Sequence, residues 1–280
     1  MGDLILSHEP VIRLAAYLGI LGLLVAAERL APRRPLGHGR LRRWPANLGI
    51  AALNTVMLRL VAPGAAVGVA LWAAEAGIGL FNLAAMPHWL AVVACVLALD
   101  LLIYGQHVAF HKVAPLWRLH RMHHADLDID VTTGARFHPV EILLSLGIKL
   151  VAVLALGAPP LSVLLFEVLL NATSMFNHAN LALPGWLDRM LRWVLVTPDM
   201  HRVHHSWHRD ETDSNFGFSL PWWDRLFGTY RDQPRDGHVG MTIGLAGFRD
   251  PGELRLDRML LQPLRVENVS SSQETAGKAM

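Results

Sequence analysis

Cysteine is almost absent from this chain: Cys95 is the only one in 280 residues. A lone thiol cannot form an internal disulfide, and inside an apolar run it reads as a small buried hydrophobe. Sites built from several thiolates are excluded with it, so a metal held here is held by nitrogen and oxygen. Charge is scarce too. Only 17% of residues are Asp, Glu, Lys or Arg, whereas soluble domains carry about a quarter. The net charge of +2 is too small to mark nucleic acid as a partner. There is no Gly-rich phosphate loop, no internal repeat and no H-E-x-x-H zinc-protease motif.

What the chain has in quantity is apolar sequence, 52% of residues. A bilayer core takes about 20 helical residues to cross. Segments 11–28, 47–74, 88–111, 140–157 and 160–178 are candidates. The first is preceded by Asp3 and Glu9, without a basic cluster or a cleavage signal, and reads as a retained helix. Pro63 predicts a kink in the second. The last two are joined by 157-GAPP-160 and predict a tight hairpin. The expected fold is therefore all-α: an integral membrane bundle of about three spanning helices plus a helical hairpin, with a cytosolic, histidine-rich helical cap. Arg29, Arg33, Arg34, Arg40, Arg42 and Arg43 make the loop 29–45 cytoplasmic, while 75–87 has no Lys or Arg and belongs outside. All histidine clusters then fall at the cytoplasmic edge. Three regions follow: an N-terminal membrane region 1–87, a catalytic region 88–232, and a C-terminal tail 233–280 whose last fifteen residues read as disordered. The stretch 186–196 has one polar and one apolar face and reads either as a helix lying on the membrane or as a packing helix. The aromatics of 221–230 suit a headgroup-level belt or packing under the site.

Histidine is the second abundance. Fifteen are present, and eight fall into three clusters: His107 and His111; His120, His123 and His124; His201, His204 and His205. The spacings i, i+3 and i+4 put each cluster on one helical face. Eight imidazoles side by side repel when charged and lack partners when dry; metal binding removes both problems. Eight ligands exceed one ion's need and suit two with positions left open. Imidazole suits Zn, Cu, Fe and Ni, and haem takes one or two axial ligands, so a pair of redox-active irons fits these rows best. A zinc-dependent membrane hydrolase and a non-catalytic metal or haem carrier remain the competing classes. Asp100 and Tyr104 share a stripe with His107 and His111; Asp100 either orients a ligand histidine or bonds another helix. Glu167, Asn171, Ser174 and His178 form a similar stripe, which makes His178 a candidate ninth ligand and offers Glu167 and Asn171 as candidates to line a lipid path. His138 has two readings, a tenth ligand or a capping role beside Pro139. Glu141 has an ordinary role at a helix N-terminus. His8, His38, His88 and His238 read as unremarkable singletons.

H-x-x-x-H, H-x-x-H-H and H-x-x-H-H in this order, with 136-RFHPVE-141 and 177-NHAN-180 between them and 215-NFGFSLPWWDRLFGTY-230 after them, resemble the fatty acid hydroxylase/sterol desaturase superfamily. The resemblance covers residues 95–232 and leaves 1–87 without motifs. It implies a membrane di-iron oxygenase that uses dioxygen and external electrons to hydroxylate or desaturate a lipid: a sterol, a fatty acyl chain or an ether lipid. It implies iron ligation by the eight clustered histidines and His178, less directly by His138, and places Asn215 in a turn near the metals. A cytochrome b5 or ferredoxin system with its reductase would supply the electrons, since the chain has no flavin motif and no Fe–S cysteines. The membrane would be the inner membrane of a bacterium or the endoplasmic reticulum of a eukaryote.

Overall fold

A computed structural model describes residues 6, 8–84 and 86–267. The described residues fold into helices, with two isolated β-bridges and no strand. Five candidate membrane spans are long and apolar enough to cross a bilayer. Helix α1 runs Glu9–Leu30, with Glu9 in its first turn and Arg29 in its last, the charge order that suits the helix dipole. Helices α2 (Arg40–Val61) and α3 (Ala65–Glu75) lie where one kinked span was expected. Pro63 and a left-handed Gly64 (φ +64°) break the helix outright. Helix α4 is His88–Lys112 and α5 is Ala114–His124. The hairpin is α6 (Pro139–Leu156) and α7 (Pro160–His178). Its turn requires glycine at position 157: φ is +59°, and a Cβ there would lie 2.6 Å from the Ile78 carbonyl oxygen.

Helix α7 is the axis of the bundle. It packs against α1, α3 and α4 and, at its far end, against the turn Thr133–Ala135. Its 19 residues make it about 28 Å long. The main apolar core lies between α3, α4 and the hairpin; Val67, Ala70, Leu99, Val153 and Phe166 belong to it, with Cys95 fully buried among them. Outward faces carry Leu14, Leu18, Val56, Val93, Val151 and Leu169 in exposed positions. Such a surface suits lipid and not water.

The arginines of the basic stretch do not all lie in a loop. Helix α2 begins at Arg40, and Arg43 in its first turns is fully buried. Arg43 donates from Nε and Nη2 to the two Asp126 carboxylate oxygens, both at 2.7 Å, and from Nη1 to Asp130 Oδ2 at 2.6 Å. Burial raises the Asp126 pKa, but the Arg43 guanidinium overrides it and holds that carboxyl below its ordinary range. Glu28, near the end of α1, accepts from the Val131 and Asn180 amides at 2.7 Å each. Together these bonds clamp the first two helices onto the 125–135 loop, beside the clusters.

One further expectation changed. Residues 233–267 are no tail: the turn Pro251–Leu254 and α11 (Leu256–Leu261) pack on α2, with Met259 buried against Ala46, Ile50 and Met122. The expectation of disorder falls on 266–280, of which 268–280 lie outside the described residues. The stretch 186–196 forms a short α8 (Gly185–Leu191) with no buried residue. Trp186, Met190 and Trp193 are exposed, while Arg192 turns inward onto Asp188 and Asp232. That polarity is the reverse of a helix packed on a protein core, and it suits the membrane surface.

Replacing Arg43 by Ala strands two buried carboxylates. Thermal unfolding in detergent is expected to show a loss of about 3–5 kcal/mol, against less than about 0.5 kcal/mol for the exposed neighbour Arg42→Ala.

Candidate metal centre

Four elements deliver nine histidines to one end of the bundle. Helix α4 supplies His107 and His111, α5 supplies His120, His123 and His124, and the last residue of α7 is His178. Helix α9 (Pro198–His204), capped by the Thr197 side chain, supplies His201 and His204, with His205 at its C-terminus. All nine are buried. They sort into two groups: His107, His111, His120, His124 and His204; and His123, His178, His201 and His205. The sequence rows are thus divided. His123 leaves its neighbours for the second group, and His204 leaves its own for the first: on α5 and α9 the i, i+4 pair points to one group, and the i+3 residue, about 100° round the helix from the i+4 residue, points to the other.

The ring nitrogens show what the groups are built for. His107 Nδ1 bonds the Phe216 carbonyl at 2.7 Å, His123 Nδ1 that of Arg136 at 3.2 Å, His178 Nδ1 that of Ser174 at 2.6 Å, and His204 Nδ1 that of Ser214 at 2.7 Å. A carbonyl oxygen only accepts, so each Nδ1 carries the proton and each neutral ring has a bare Nε2 lone pair. Those lone pairs face one another. Nε2 of His204 lies 3.0 Å from that of His107, and Nε2 of His178 lies 3.1 Å from those of His123 and His205 and 3.2 Å from that of His201. Where both Nδ1 protons are fixed, as in His204–His107 and His178–His123, facing lone pairs at this distance need a shared cation; Nδ1 of His201 and of His205 is buried without a partner. A proton is disfavoured: burial first, then the neighbouring imidazoles, push His123, His124, His201 and His205 far below the ordinary histidine range, and burial does the same to His204. A metal ion fits, since two nitrogens bound at about 2.1 Å and at right angles lie about 3.0 Å apart. Nε2 of His111 and of His124 is buried without a partner and is free for the same use.

Glu141 is the functional residue that the sequence reading underrated. At the start of α6 it accepts from His120 Nδ1 at 2.7 Å, the arrangement that orients a metal-binding imidazole. The available signal was its place in 136-RFHPVE-141, one helical turn after a histidine. His138 itself stands outside both groups. Its Nδ1 accepts from the Val140 amide, capping α6, and its Nε2 donates to the Leu260 carbonyl. The capping reading is the one that the structure shows. Asp100 bonds no histidine; Oδ2 accepts from Trp223 Nε1 at 2.8 Å and from the Leu220 amide at 3.3 Å, holding the 215–230 segment to α4. Tyr104 bonds Thr229 and stacks on Phe227. Asn215 is the one non-glycine residue with positive φ (50°) among those described, and its amide spans Met200, on α9, and Arg231. The turn it makes presents the Ser214 and Phe216 carbonyls to His204 and His107.

Asp224, in α10 (Trp222–Leu226), holds the same turn. It accepts from the Phe216 and Gly217 amides and from Thr229. Burial pushes its pKa up to about 6. A cavity of about 250 Å³ adjoins the first group, reaching His107, His120, Glu141, Phe137, Phe218 and Asn171. Glu167 does not line it; its carboxylate is paired with Arg13 and Lys149 inside the bundle.

The fold and this centre define a helical membrane protein with two buried imidazole groups of a kind able to bind metal. Residues 92–229 match the family model described as fatty acid hydroxylase, so the chain carries a domain of that family. Similar proteins include an ornithine lipid hydroxylase of Rhizobium tropici, 31% identical over 52% of this chain and 42% of the relative. Human alkylglycerol monooxygenase is 30% identical over 60% of the chain and 37% of the relative. Human cholesterol 25-hydroxylase is 28% identical over 50% and 51%. The match thus spans about half or less of each relative. No solved structure matches.

Asp224 binds its proton more tightly folded than unfolded, so it contributes stability at low pH that is lost as pH rises through about 6. Unfolding at pH 4 and pH 7 is expected to show a component of roughly 2 kcal/mol that Asp224→Asn lacks.

Proposed function

We propose that this protein is a membrane-bound di-iron oxygenase that inserts one atom of dioxygen into a lipid C–H bond. The observation carrying this reading is the convergence of bare imidazole lone pairs beside a cavity walled by membrane helices. His107, His111, His120, His124 and His204 would hold one ion, and His123, His178, His201 and His205 the other. When bound, an iron pair supplies the oxidant for an unactivated C–H bond, using dioxygen and outside electrons.

The chain's own residues do the positioning. The carbonyls of Arg136, Ser174, Ser214 and Phe216 fix the tautomers and angles of four rings, and Glu141 fixes His120. Phe137 and Phe218 wall the cavity and help exclude water from the clusters. Gln106 and Ser145, which line the cavity, satisfy each other at 2.9 Å. Glu141 Oε2 has no partner and gives the cavity one acceptor beside His120. A lipid tail fits this setting, entering sideways from the bilayer between α1 and α2, where Tyr17 and Thr55 line the cavity. The relatives' names specify hydroxylation or monooxygenation of an ornithine lipid, an alkylglycerol and cholesterol, which favours hydroxylation over desaturation. The arginines of 29–43 lie at the histidine end, with Arg34 bonded to the Met241 carbonyl; this supports a cytoplasmic metal centre. A cytochrome b5- or ferredoxin-type donor would supply electrons from that side.

Metal analysis of the purified protein tests the reading, together with lipid mass spectrometry of cells with and without the gene. Two irons per chain and a lipid gaining one oxygen are expected; zinc without oxygen consumption would give the site to a hydrolase. His178→Ala should lower iron from two to about one per chain by removing one ligand group, while His138→Ala keeps both. Glu141→Ala should weaken metal binding about 10–100-fold.

A further inference from the structure

Inserting one oxygen atom from dioxygen into C–H, with release of one water, consumes two electrons and two protons. The electrons have to cross the protein shell around the clusters. Among the described residues, the rings other than imidazoles that touch a clustered histidine belong to phenylalanines, with one exception. The exception is Trp117, whose ring centroid lies 5.0 Å from that of His111 and 5.5 Å from that of His124. Trp117 is partly exposed, and it is not part of the cavity. The five-histidine group therefore has two faces. The cavity reaches it at His107 and His120, and Trp117 reaches it at His111 and His124.

The surface around Trp117 is positively charged. The Arg209 guanidinium sits 4.6 Å over its ring, and Lys112 and Arg118 are exposed nearby in the chain. One carboxylate, Asp213, answers Lys112 and Arg209, while Arg118 bonds only the Pro263 carbonyl. A cationic rim around an aromatic ring that touches two buried imidazoles suits an acidic partner, drawn by charge and held for transfer.

We propose that this surface docks a small acidic one-electron carrier protein, and that the Trp117 ring is the relay by which its electrons reach the clusters. The proposal rests on the oxygenase reading above. Each encounter oxidises the carrier by one electron and reduces the bound metal pair by one; two encounters, with two protons from water, balance one turnover.

The test uses the full, iron-loaded chain under anaerobic stopped flow. Reduced plant-type ferredoxin and the reduced soluble domain of cytochrome b5 are the protein donors, and dithionite is the small-molecule control. Transfer from at least one protein donor is expected to slow as salt rises. Lys112→Glu with Arg118→Glu should raise the donor concentration needed for half-maximal rate about tenfold. Trp117→Leu should slow the saturated rate, and Trp117→Phe should restore most of it. Iron content and dithionite reduction should stay as in the wild type. Wild-type transfer rates and salt dependence in the charge-reversed protein, or wild-type saturated rates in Trp117→Leu, overturn the proposal. So does a wild type that dithionite reduces and neither protein donor does. Should Trp117→Leu lose iron, the charge-reversed protein decides alone. A wild type without iron, or without dithionite-driven oxygen consumption, overturns the oxygenase reading and this proposal with it.

Discussion

Four backbone carbonyls, those of Arg136, Ser174, Ser214 and Phe216, each take the Nδ1 proton of a buried imidazole and leave its Nε2 bare. Much of the rest of the structure answers to that arrangement. Carbonyls at helix interiors are spent on the helix ladder, so most of these must come from turns and irregular segments. Such segments need holding. Asn215 and Asp224 hold the turn that presents Ser214 and Phe216. The Arg43 clamp on Asp126 and Asp130 holds the loop that ends at Arg136, whose own guanidinium reaches Met122 and Asn47. Buried charge near the site is therefore structural, tying loops to helices where apolar packing alone would leave them free.

The membrane bundle serves the same end. Helix α7 carries the apolar core in its first half and His178 at its last residue, so the depth of the site is set by helix length. At Gly134 a Cβ would lie 2.6 Å from the Ser174 carbonyl, which lets the 133–135 turn close onto α7 beside His178. The cavity lies on one side of the five-histidine group and Trp117 on another. On the proposed reading, that layout keeps a lipid route at the cavity apart from an electron route at the aqueous face of Trp117.

The sequence by itself determined the helical class, the five apolar segments and the hairpin, because hydrophobic length and Pro/Gly punctuation are local signals. It also determined the donor set: clusters of histidine at helical spacing, with no competing thiolates, leave little else for the residues to do. Only the tertiary structure decided how those histidines divide, since sharing a row on one helix does not say which neighbouring helix each ring faces. The roles of Glu141 and Asp224, the bond of His138 to Leu260 and the burial of Arg43 were likewise set by contacts between residues 7 to 122 positions apart. The folding of 233–267 onto α2 belongs with them, because local composition does not show that Met241, Phe248, Leu254 and Met259 are buried or that its backbone carbonyls find arginines and a histidine. Local sequence reports what a segment prefers; which bare lone pair meets which other is a property of the packed chain.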